Sequence, residues 1–164
     1  MGESKTITVE RRDAVVLIGI DRASAQNRID PSTFAQLGRA YFEFEQDEAL
    51  RVAVLFGHGA HFSAGLDAEA FAPLLLGGGF SLDAPGTINP LQTTKPRLTK
   101  PLVAVVHGNT LFWGHELFLA ADVRVAATDA VFSQGETSRA VFPGGGGTVR
   151  FVREAGGRRR CVTS

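Results

Sequence analysis

The sequence predicts a mixed α/β domain in which short buried strands alternate with helices. The main observation is a pattern that occurs twice, at residues 52–67 and at residues 102–116. Each copy begins with a short apolar run containing β-branched residues, which is typical of a buried strand, and passes through glycine-containing loop sequence into a helix. The order strand, strand, helix also recurs along the chain. Because the first N–H groups of a helix lack partners, the two copies predict two anion-binding helix ends facing one pocket.

The first elements are predicted to be a β-hairpin and an amphipathic helix. Residues 7–10 and 14–20 have strand character and are separated by the charged residues 11–13. Asp30 followed by Pro31 is typical of a helix start, since the carboxylate can cap free N–H groups and proline fits the first helical position. Apolar side chains then recur at helical spacing and predict a helix to about residue 47. These side chains are Phe34, Leu37, Tyr41 and Phe44.

The remaining elements follow the same logic. Residues 77–98 contain three consecutive glycines and three prolines without a sustained period, which predicts a loop. This loop is either a mobile cover over the pocket or an ordinary surface connection. After the second strand-loop-helix unit, residues 123–126 and 130–133 predict two short strands. A final helix is predicted to begin near Thr148.

Composition excludes several classes of protein. With 164 residues, of which 44% are hydrophobic and 21% charged, the chain can form one domain with a real core. Its 17 basic and 17 acidic residues cancel, so it has no general attraction to nucleic acid or to an anionic membrane. Residues 1–6 are polar, and no apolar run approaches the roughly 20 residues that span a bilayer. We therefore expect a soluble, cytoplasmic protein without nucleic-acid or membrane partners.

Cysteine and histidine give no signal of a metal site. Cys161 is the only cysteine in the sequence, which excludes an internal disulfide and a cysteine-based zinc site. His58 and His61 flank a glycine loop but lack further ligands at a recognisable spacing, so we expect solvated loop histidines and no metal. The glycine run at 144–147 lacks the lysine and hydroxyl residue of a phosphate-binding P-loop and predicts a tight helix entry.

Five motifs in order resemble the crotonase family, also called the enoyl-CoA hydratase/isomerase family. The resemblance covers roughly residues 7–156 and depends on the order and spacing of the motifs together. It implies a ββα superhelix and chemistry on an acyl-CoA thioester through an enolate, with no cofactor because coenzyme A is part of the substrate. The motifs are FSAGLD at 62–67, HG at 107–108, GHEL at 114–117, FSQGE at 132–136 and PGGGGTVR at 143–150.

The resemblance implies that Glu116 and Glu136 are the catalytic acid and base. Taken alone, the first is typical of favourable helix-dipole chemistry and the second of a solvated loop. Adding water to a 2-enoyl-CoA needs a base for the water proton and an acid for Cα, which two carboxylates in different protonation states can supply. Both carboxylates together favour a syn-adding enoyl-CoA hydratase over an isomerase. Another crotonase-family reaction, or a catalytically silent CoA-binding or assembly protein, remains an alternative.

The resemblance also implies an oxyanion hole made by the backbone N–H groups of Leu66 and Trp113. Phe112 and Trp113 depart from the glycine-rich sequence usual there, so the indole either packs away from the substrate or fills its space. His115 is an alternative third acid or base. The loop at 22–29 resembles the segment that contacts coenzyme A, although a basic residue often found there is missing. The implied coenzyme A and substrate contacts are Ser24, Ala25, Gln26, Ala64, Leu66, Asp67 and Ala68, of which Asp67 is alternatively an ordinary first-turn residue.

The end of the chain leaves the resemblance. We divide the sequence into an incomplete core at residues 1–156 and a tail at residues 157–164, which a frameshift or a deliberately shortened chain would explain. Family members continue with helices that complete the acyl pocket and build a trimer interface. The fold is thus expected to be truncated before the C-terminal helical region, with the parent protein a homo-trimer or hexamer. Exposed apolar faces should make the 164-residue product poorly stable and weakly active.

Overall fold

The hairpin predicted at the start of the chain opens a five-stranded sheet. The computed structural model describes residues 4–77, 79–139 and 142–156, so the tail at 157–164 lies outside the described residues. The first two strands pair antiparallel, and every later strand joins in parallel in the order β1-β2-β3-β4-β6. The strands are β1 (Ile7–Arg12), β2 (Val15–Ile20), β3 (Val52–Gly57), β4 (Leu102–Val106) and β6 (Val123–Ala126).

A second layer of short strands lies beside this sheet. It contains β5 (Asn109–Leu111) and β7 (Val131–Ser133), which pair in parallel with Thr110 opposite Phe132. An isolated bridge joins Ser63 to Thr110 in the same direction. Each turn of the chain therefore passes through a long strand, a short second-layer segment and then a helix, which confirms the expected ββα superhelix.

The described residues contain helices at the predicted places. In α1, the Asp30 carboxylate accepts a 2.7 Å hydrogen bond from the Thr33 N–H and Pro31 occupies the first position, as predicted. The last helix begins one residue before the predicted Thr148. No described helix is both long and apolar enough to cross a bilayer. The helices are α1 (Pro31–Gln46), α2 (Ala68–Leu76), α3 (Trp113–Ala120) and α4 (Gly147–Ala155).

The core lies between α1 and the first strands of the sheet. Leu37, Tyr41 and Phe44 of α1 are almost completely buried, as are Ile18 and Ile20 of β2. Burying a large apolar side chain stabilises the fold by roughly 1.5 to 3 kcal/mol, so this helix face anchors the domain. The helical spacing in the sequence therefore identified the packed face correctly.

The segment between α2 and β4 is a loop whose second half belongs to the core. Described residues 79–98 contain neither helix nor strand, as predicted. Ile88 and Leu91 are nevertheless each 1% exposed, and the Ile88 N–H donates to the Gly38 carbonyl of α1 at 3.0 Å. This packing rules out a cover that is mobile along its whole length.

Apolar side chains are also exposed at the far edge of the five-stranded sheet and on β7 of the second layer. Val123 and Val125 of β6 are about half exposed, and Val131 of β7 is 55% exposed. β6 pairs only with β4 among the described strands, so it forms an edge with free backbone groups. An apolar edge strand of this kind favours association with other chains. The low stability expected from the sequence stays a prediction.

Candidate active site

Two loops carry the implied oxyanion donors and run side by side. Ser63 donates its N–H to the Asn109 carbonyl at 3.0 Å, and its own carbonyl accepts from the Leu111 N–H at 2.9 Å. Gly65 has φ of 93°, and a Cβ added there would lie 2.7 Å from the Cβ of Phe112. Only a glycine allows this close approach. The ladder thus places residue 65 against residue 112, directly before the two implied donors.

Both implied donors lack a backbone acceptor among the residues that the structure describes. The residues flanking Leu66 bond to Ile29: Gly65 accepts from the Ile29 N–H and Asp67 donates to the Ile29 carbonyl, each at 2.8 Å. The Leu66 N–H therefore faces away from Ile29. Trp113 is the first residue of α3, where N–H groups lack intrahelical acceptors. Within the described chain, neither N–H donates a hydrogen bond.

A surface cleft of about 290 Å³ lies beside these donors. Ser24 and Ala25 do not line it and lie in the adjoining 3₁₀ turn, Ala23–Ala25. Phe112 forms part of the wall, together with Leu111 and the exposed Glu69 and Arg28. Five of the implied contact residues line the cleft, namely Gln26, Ala64, Leu66, Asp67 and Ala68.

The indole of Trp113 packs away from the cleft. Its ring lies 5.3 Å from the ring of Phe34 and 5.4 Å from that of Phe71, measured between centroids. Phe80 contacts the same two phenylalanines edge to face, at 5.3 and 4.8 Å. The Trp113 side chain therefore packs α3 against α1 and α2. The backbone N–H of Trp113 remains at the start of α3.

Replacing Trp113 with alanine is expected to destabilise the protein by about 3 kcal/mol, because the change removes the ring that packs against Phe34 and Phe71. Chemical denaturation followed by circular dichroism measures the free energy of unfolding. Trp113→Phe, which keeps an aromatic ring in the cluster, should lose less than half as much. Equal stability of the alanine variant and the original chain would contradict the assignment.

Glu116 is completely buried in the first turn of α3. Its Oε1 accepts a hydrogen bond from the Gly147 N–H at 2.8 Å, whereas Oε2 has no hydrogen-bond partner among the described residues. Burial raises the pKa of Glu116 to about 7. The Gly147 hydrogen bond opposes this rise in pKa, and the nearby charge of Glu136 adds to it. This carboxyl group therefore changes protonation state near neutral pH.

Glu136 is only 7% exposed and lies close enough to Glu116 for its charge to raise the pKa of that carboxyl group. The Nε2 of Gln134 donates to its Oε1 at 2.7 Å, and its Oε2 has no hydrogen-bond partner in the described chain. The two glutamates are thus bonded in the same way. In each, one carboxylate oxygen accepts a hydrogen bond from a protein N–H, and the other has no partner among the described residues. The two carboxylates that the family resemblance pairs are thus close enough for their charges to interact, and their joint action stays a prediction.

His115 is enclosed by aromatic rings. Its imidazole lies 5.3 Å from the Phe132 ring and 5.2 Å from the Phe151 ring, between β7 and α4. Burial lowers the pKa of His115 to about 4, with a smaller opposing effect from Gln134. The ring is therefore neutral at pH 7, and its surroundings fit a packing role better than that of a third acid or base.

Two arginines near the cleft were not singled out from the sequence. Arg22 pairs with Asp67 at 3.3 Å and with Asp30 at 3.2 Å, which ties the loop at 22–29 to the start of α2. Asp67 makes no side-chain cap to α2, so this ion pair and not helix capping occupies its carboxylate. Arg28 lines the cleft and makes no ion pair within the described chain. The sequence feature that could have identified Arg28 is its position in the loop at 22–29, which resembles the segment that contacts coenzyme A.

The expectation that His58 and His61 are solvated was wrong. The Nε2 of His58 is 2.8 Å from the Thr8 hydroxyl, and the Nδ1 of His61 accepts from the Asn109 N–H at 3.2 Å. Both side chains are half-buried, and their hydrogen bonds link the loop after β3 to β1 and to β5. The described residues include no group of three or more histidine, cysteine, aspartate or glutamate side chains placed to hold a metal ion.

Comparison with known proteins agrees with this geometry. A family model described as enoyl-CoA hydratase/isomerase matches residues 10–161. Enoyl-CoA hydratase EchA19 of Mycobacterium tuberculosis is 32% identical over 148 residues, covering 89% of this chain and 55% of that protein. Carnitinyl-CoA dehydratase of Escherichia coli K12 is 36% identical over 154 residues, covering 92% and 56%. The chain therefore spans about half the length of the curated relatives it matches.

Solved structures show the same fold. A probable enoyl-CoA hydratase/isomerase from Mycobacterium abscessus superposes with a TM-score of 0.92 at 40% identity, covering 99% of this chain and 64% of that one. An enoyl-CoA hydratase from Mycobacterium tuberculosis H37Rv superposes with a TM-score of 0.78 at 37% identity, covering 90% and 56%. The ββα superhelix, the family model and these relatives together establish that the chain belongs to the enoyl-CoA hydratase/isomerase family.

Proposed function

We propose that the cleft binds an acyl-CoA thioester and that the N–H groups of Leu66 and Trp113 bind its carbonyl oxygen. The free state of both donors supports this role, as does the contact between Gly65 and Phe112. Two preorganised donors stabilise the negative charge that develops on the oxygen when the thioester becomes an enolate. The reaction that follows then depends on which groups move protons near Cα and Cβ.

The reaction that we propose is the syn addition of water to a 2-enoyl-CoA. Glu136 takes a proton from water, which attacks Cβ, and Glu116 delivers a proton to Cα as the enolate collapses. The supporting observation is the pair of buried carboxylates, each with one oxygen held by an N–H and the other without a partner. The pKa of Glu116, near 7, suits a group that must give up a proton at neutral pH. Atoms balance without an oxidant, so no cofactor is required beyond the coenzyme A of the substrate.

Hydration of crotonyl-CoA tests the proposal directly. The loss of enoyl-thioester absorbance in the ultraviolet gives the rate, and proton NMR of the product formed in deuterated water gives the stereochemistry. We expect 3-hydroxybutyryl-CoA formed by syn addition. Double-bond migration in a 3-enoyl-CoA without hydration of the 2-enoyl-CoA would instead support an isomerase.

A catalytically silent CoA-binding protein is the second candidate. It is favoured by one observation: neither Glu116 nor Glu136 lines the cleft beside the donors. Isothermal titration with crotonyl-CoA separates the candidates, because a silent protein binds the thioester without turnover and is unaffected by the loss of either carboxylate.

Arg28 is expected to contact a phosphate of coenzyme A, since it lies exposed in the cleft wall within the loop that lacks the usual basic residue. Arg28→Gln should weaken binding of crotonyl-CoA roughly tenfold, as expected for loss of one charge-assisted contact. Binding of crotonyl-pantetheine, which lacks the nucleotide, should not change. Isothermal titration measures both ligands.

Arg51→Gln is the matched control for Arg28, because Arg51 is also exposed but lies outside the cleft. Its crotonyl-CoA affinity should equal that of the original chain. Equal weakening of both ligands by Arg28→Gln would assign this arginine a structural role. Binding of neither ligand by the original chain would contradict the proposed function itself.

A further inference from the structure

The Glu116 carboxylate is held by main-chain groups of a glycine turn. Gly147 donates to its Oε1 at 2.8 Å. The backbone of Gly145 lies against Oε2 so closely that a Cβ at this position would collide with the carboxylate. The orientation of Glu116 therefore depends on the conformation of residues 145–147.

This turn cannot fix its own conformation. Residues 144–147 are all glycine, and Gly146 has φ of 96°, in the left-handed region. Glycine loses more conformational freedom on folding than any other residue, so a run of glycines is ordered only when neighbouring groups restrain it. The restraint has to come from outside the run.

Arg150 supplies such a restraint from the first turn of α4. Its Nη1 donates to the Gly145 carbonyl at 3.0 Å and to the Leu91 carbonyl at 2.8 Å, and its Nη2 donates to the Gln92 carbonyl at 3.0 Å. A planar guanidinium holds several acceptors in fixed relative positions, which a lysine cannot do. One side chain thus connects the glycine turn to the loop before β4.

The loop that receives the guanidinium is itself well held. The Nε2 of Gln92 donates to the Asn89 carbonyl and its Oε1 accepts from the Leu98 N–H, both at 2.9 Å. Asn89, Leu91 and Gln92 are all buried. Arg150 therefore fastens a flexible turn to a rigid, core-packed segment.

We propose that Arg150 is a positioning residue for the Glu116 carboxylate and acts by clamping the glycine turn at 145–147 to the buried segment at 89–92. Its three acceptors are main-chain carbonyls, and no carboxylate of the described residues lies within ion-pair distance of it. The inference rests on the proposed function only in treating Glu116 as a reacting group. The clamp itself is a property of the fold.

The charges around Glu116 provide a readout other than stability. Burial raises the pKa of Glu116 and Glu136 raises it further, whereas the positive charge of Arg150 lowers it. Arg97 lies close enough to disfavour the charge on Arg150. Loss of Arg150 therefore removes both a mechanical restraint on Glu116 and a nearby positive charge.

The test is a pH titration of the protein labelled with ¹³C at the glutamate carboxyl groups and with ¹⁵N at glycine. Glu116→Gln assigns the Glu116 resonance. In Arg150→Gln, the titration midpoint of Glu116 should rise by roughly one unit, and the Gly147 amide resonance should shift and broaden. Arg150→Lys keeps the charge without the planar fork, so it should preserve the midpoint better than the amide resonance. Arg153→Gln, an exposed change in the same helix, should alter neither.

A melting temperature that falls in Arg150→Gln, with the Glu116 midpoint and the Gly147 amide unchanged, would overturn the proposal and leave Arg150 a purely structural role. If Arg150→Gln does not fold, the lysine variant carries the test, and an unchanged Gly147 amide in that variant would also overturn it. Neither signal requires turnover. Failure of the hydratase proposal, seen as no hydration by the original chain, is therefore distinguishable from failure of the clamp.

Discussion

Glu116→Gln is expected to lower the rate of crotonyl-CoA hydration by about 10²- to 10⁴-fold, the range for loss of one general acid or base. Glutamine keeps the size of the side chain, and its carbonyl oxygen can still accept a hydrogen bond from the Gly147 N–H. Its amide is not acidic enough to deliver a proton. Glu136→Gln should have an effect of similar size, since water activation needs the second carboxylate. Stopped assays of hydration give kcat and KM, and titration calorimetry gives the affinity for crotonyl-CoA.

The pH dependence follows from the role given to Glu116. Because its pKa lies near 7 and the protonated form delivers the proton to Cα, kcat/KM should fall as pH rises through about 7. The same carboxyl group affects stability. A raised carboxyl pKa means that the folded state binds the proton more tightly than the unfolded state, so stability should decrease between about pH 4.5 and 7. In Glu116→Gln this component of the pH dependence should disappear.

Glu48→Gln is the control for both glutamate variants, because Glu48 is exposed and lies outside the cleft. It should hydrate crotonyl-CoA at the original rate. Full activity in Glu116→Gln or Glu136→Gln would remove the corresponding carboxylate from the mechanism. Turnover lost only in Glu116→Gln, with isomerase activity intact in Glu136→Gln, would favour double-bond migration over hydration.

Gly65→Ala is the second change with a large expected effect. A Cβ at this position would lie 2.7 Å from the Phe112 Cβ and 2.8 Å from the Leu111 carbonyl oxygen, shorter than such contacts can be. The loop before α3 must move apart, and the Trp113 N–H moves with it. Displacing one oxyanion donor lowers turnover by about 10²- to 10³-fold. The strained φ of 93° adds a loss of stability of about 1 to 3 kcal/mol.

Gly86→Ala separates strain from collision. Gly86 also has a positive φ, of 73°, but no atom lies within 4 Å of a Cβ placed there. This variant should lose some stability and keep its rate of hydration, whereas Gly65→Ala should lose both. A fully active Gly65→Ala variant would show that the two loops need not touch for the donors to act.

Local signals in the sequence were sufficient for the elements but not for every side chain. Asp30 and Pro31 predicted the start of α1 because capping acts over a single turn. His58 was misjudged because its partner is Thr8, a residue 50 positions away. The direction of Trp113 could not be predicted for a similar reason, since its neighbouring rings, Phe34 and Phe71, come from two other helices, α1 and α2.

The candidate site shows the same division. The family resemblance implied that Glu116 and Glu136 act together, and in the fold their charges are close enough to interact. No motif revealed how each carboxylate is held. The Gln134 amide donates to Glu136, and the glycine turn that Arg150 contacts donates to Glu116. Such contacts depend on side-chain directions in the folded state, which spacing along the chain does not encode.

The proposed use of main-chain N–H groups as oxyanion donors has a consequence for how this protein can evolve. Position 113 contributes to the site through its backbone and to the core through its indole, which packs between Phe34 and Phe71. Selection for chemistry therefore acts on the peptide group, while selection for folding acts on the side chain. A library of variants at this position, proline excluded because it lacks the N–H, should be ordered by melting temperature, with turnover per folded molecule nearly constant. Substitutions at residue 113 can then change how the core packs without changing the reaction.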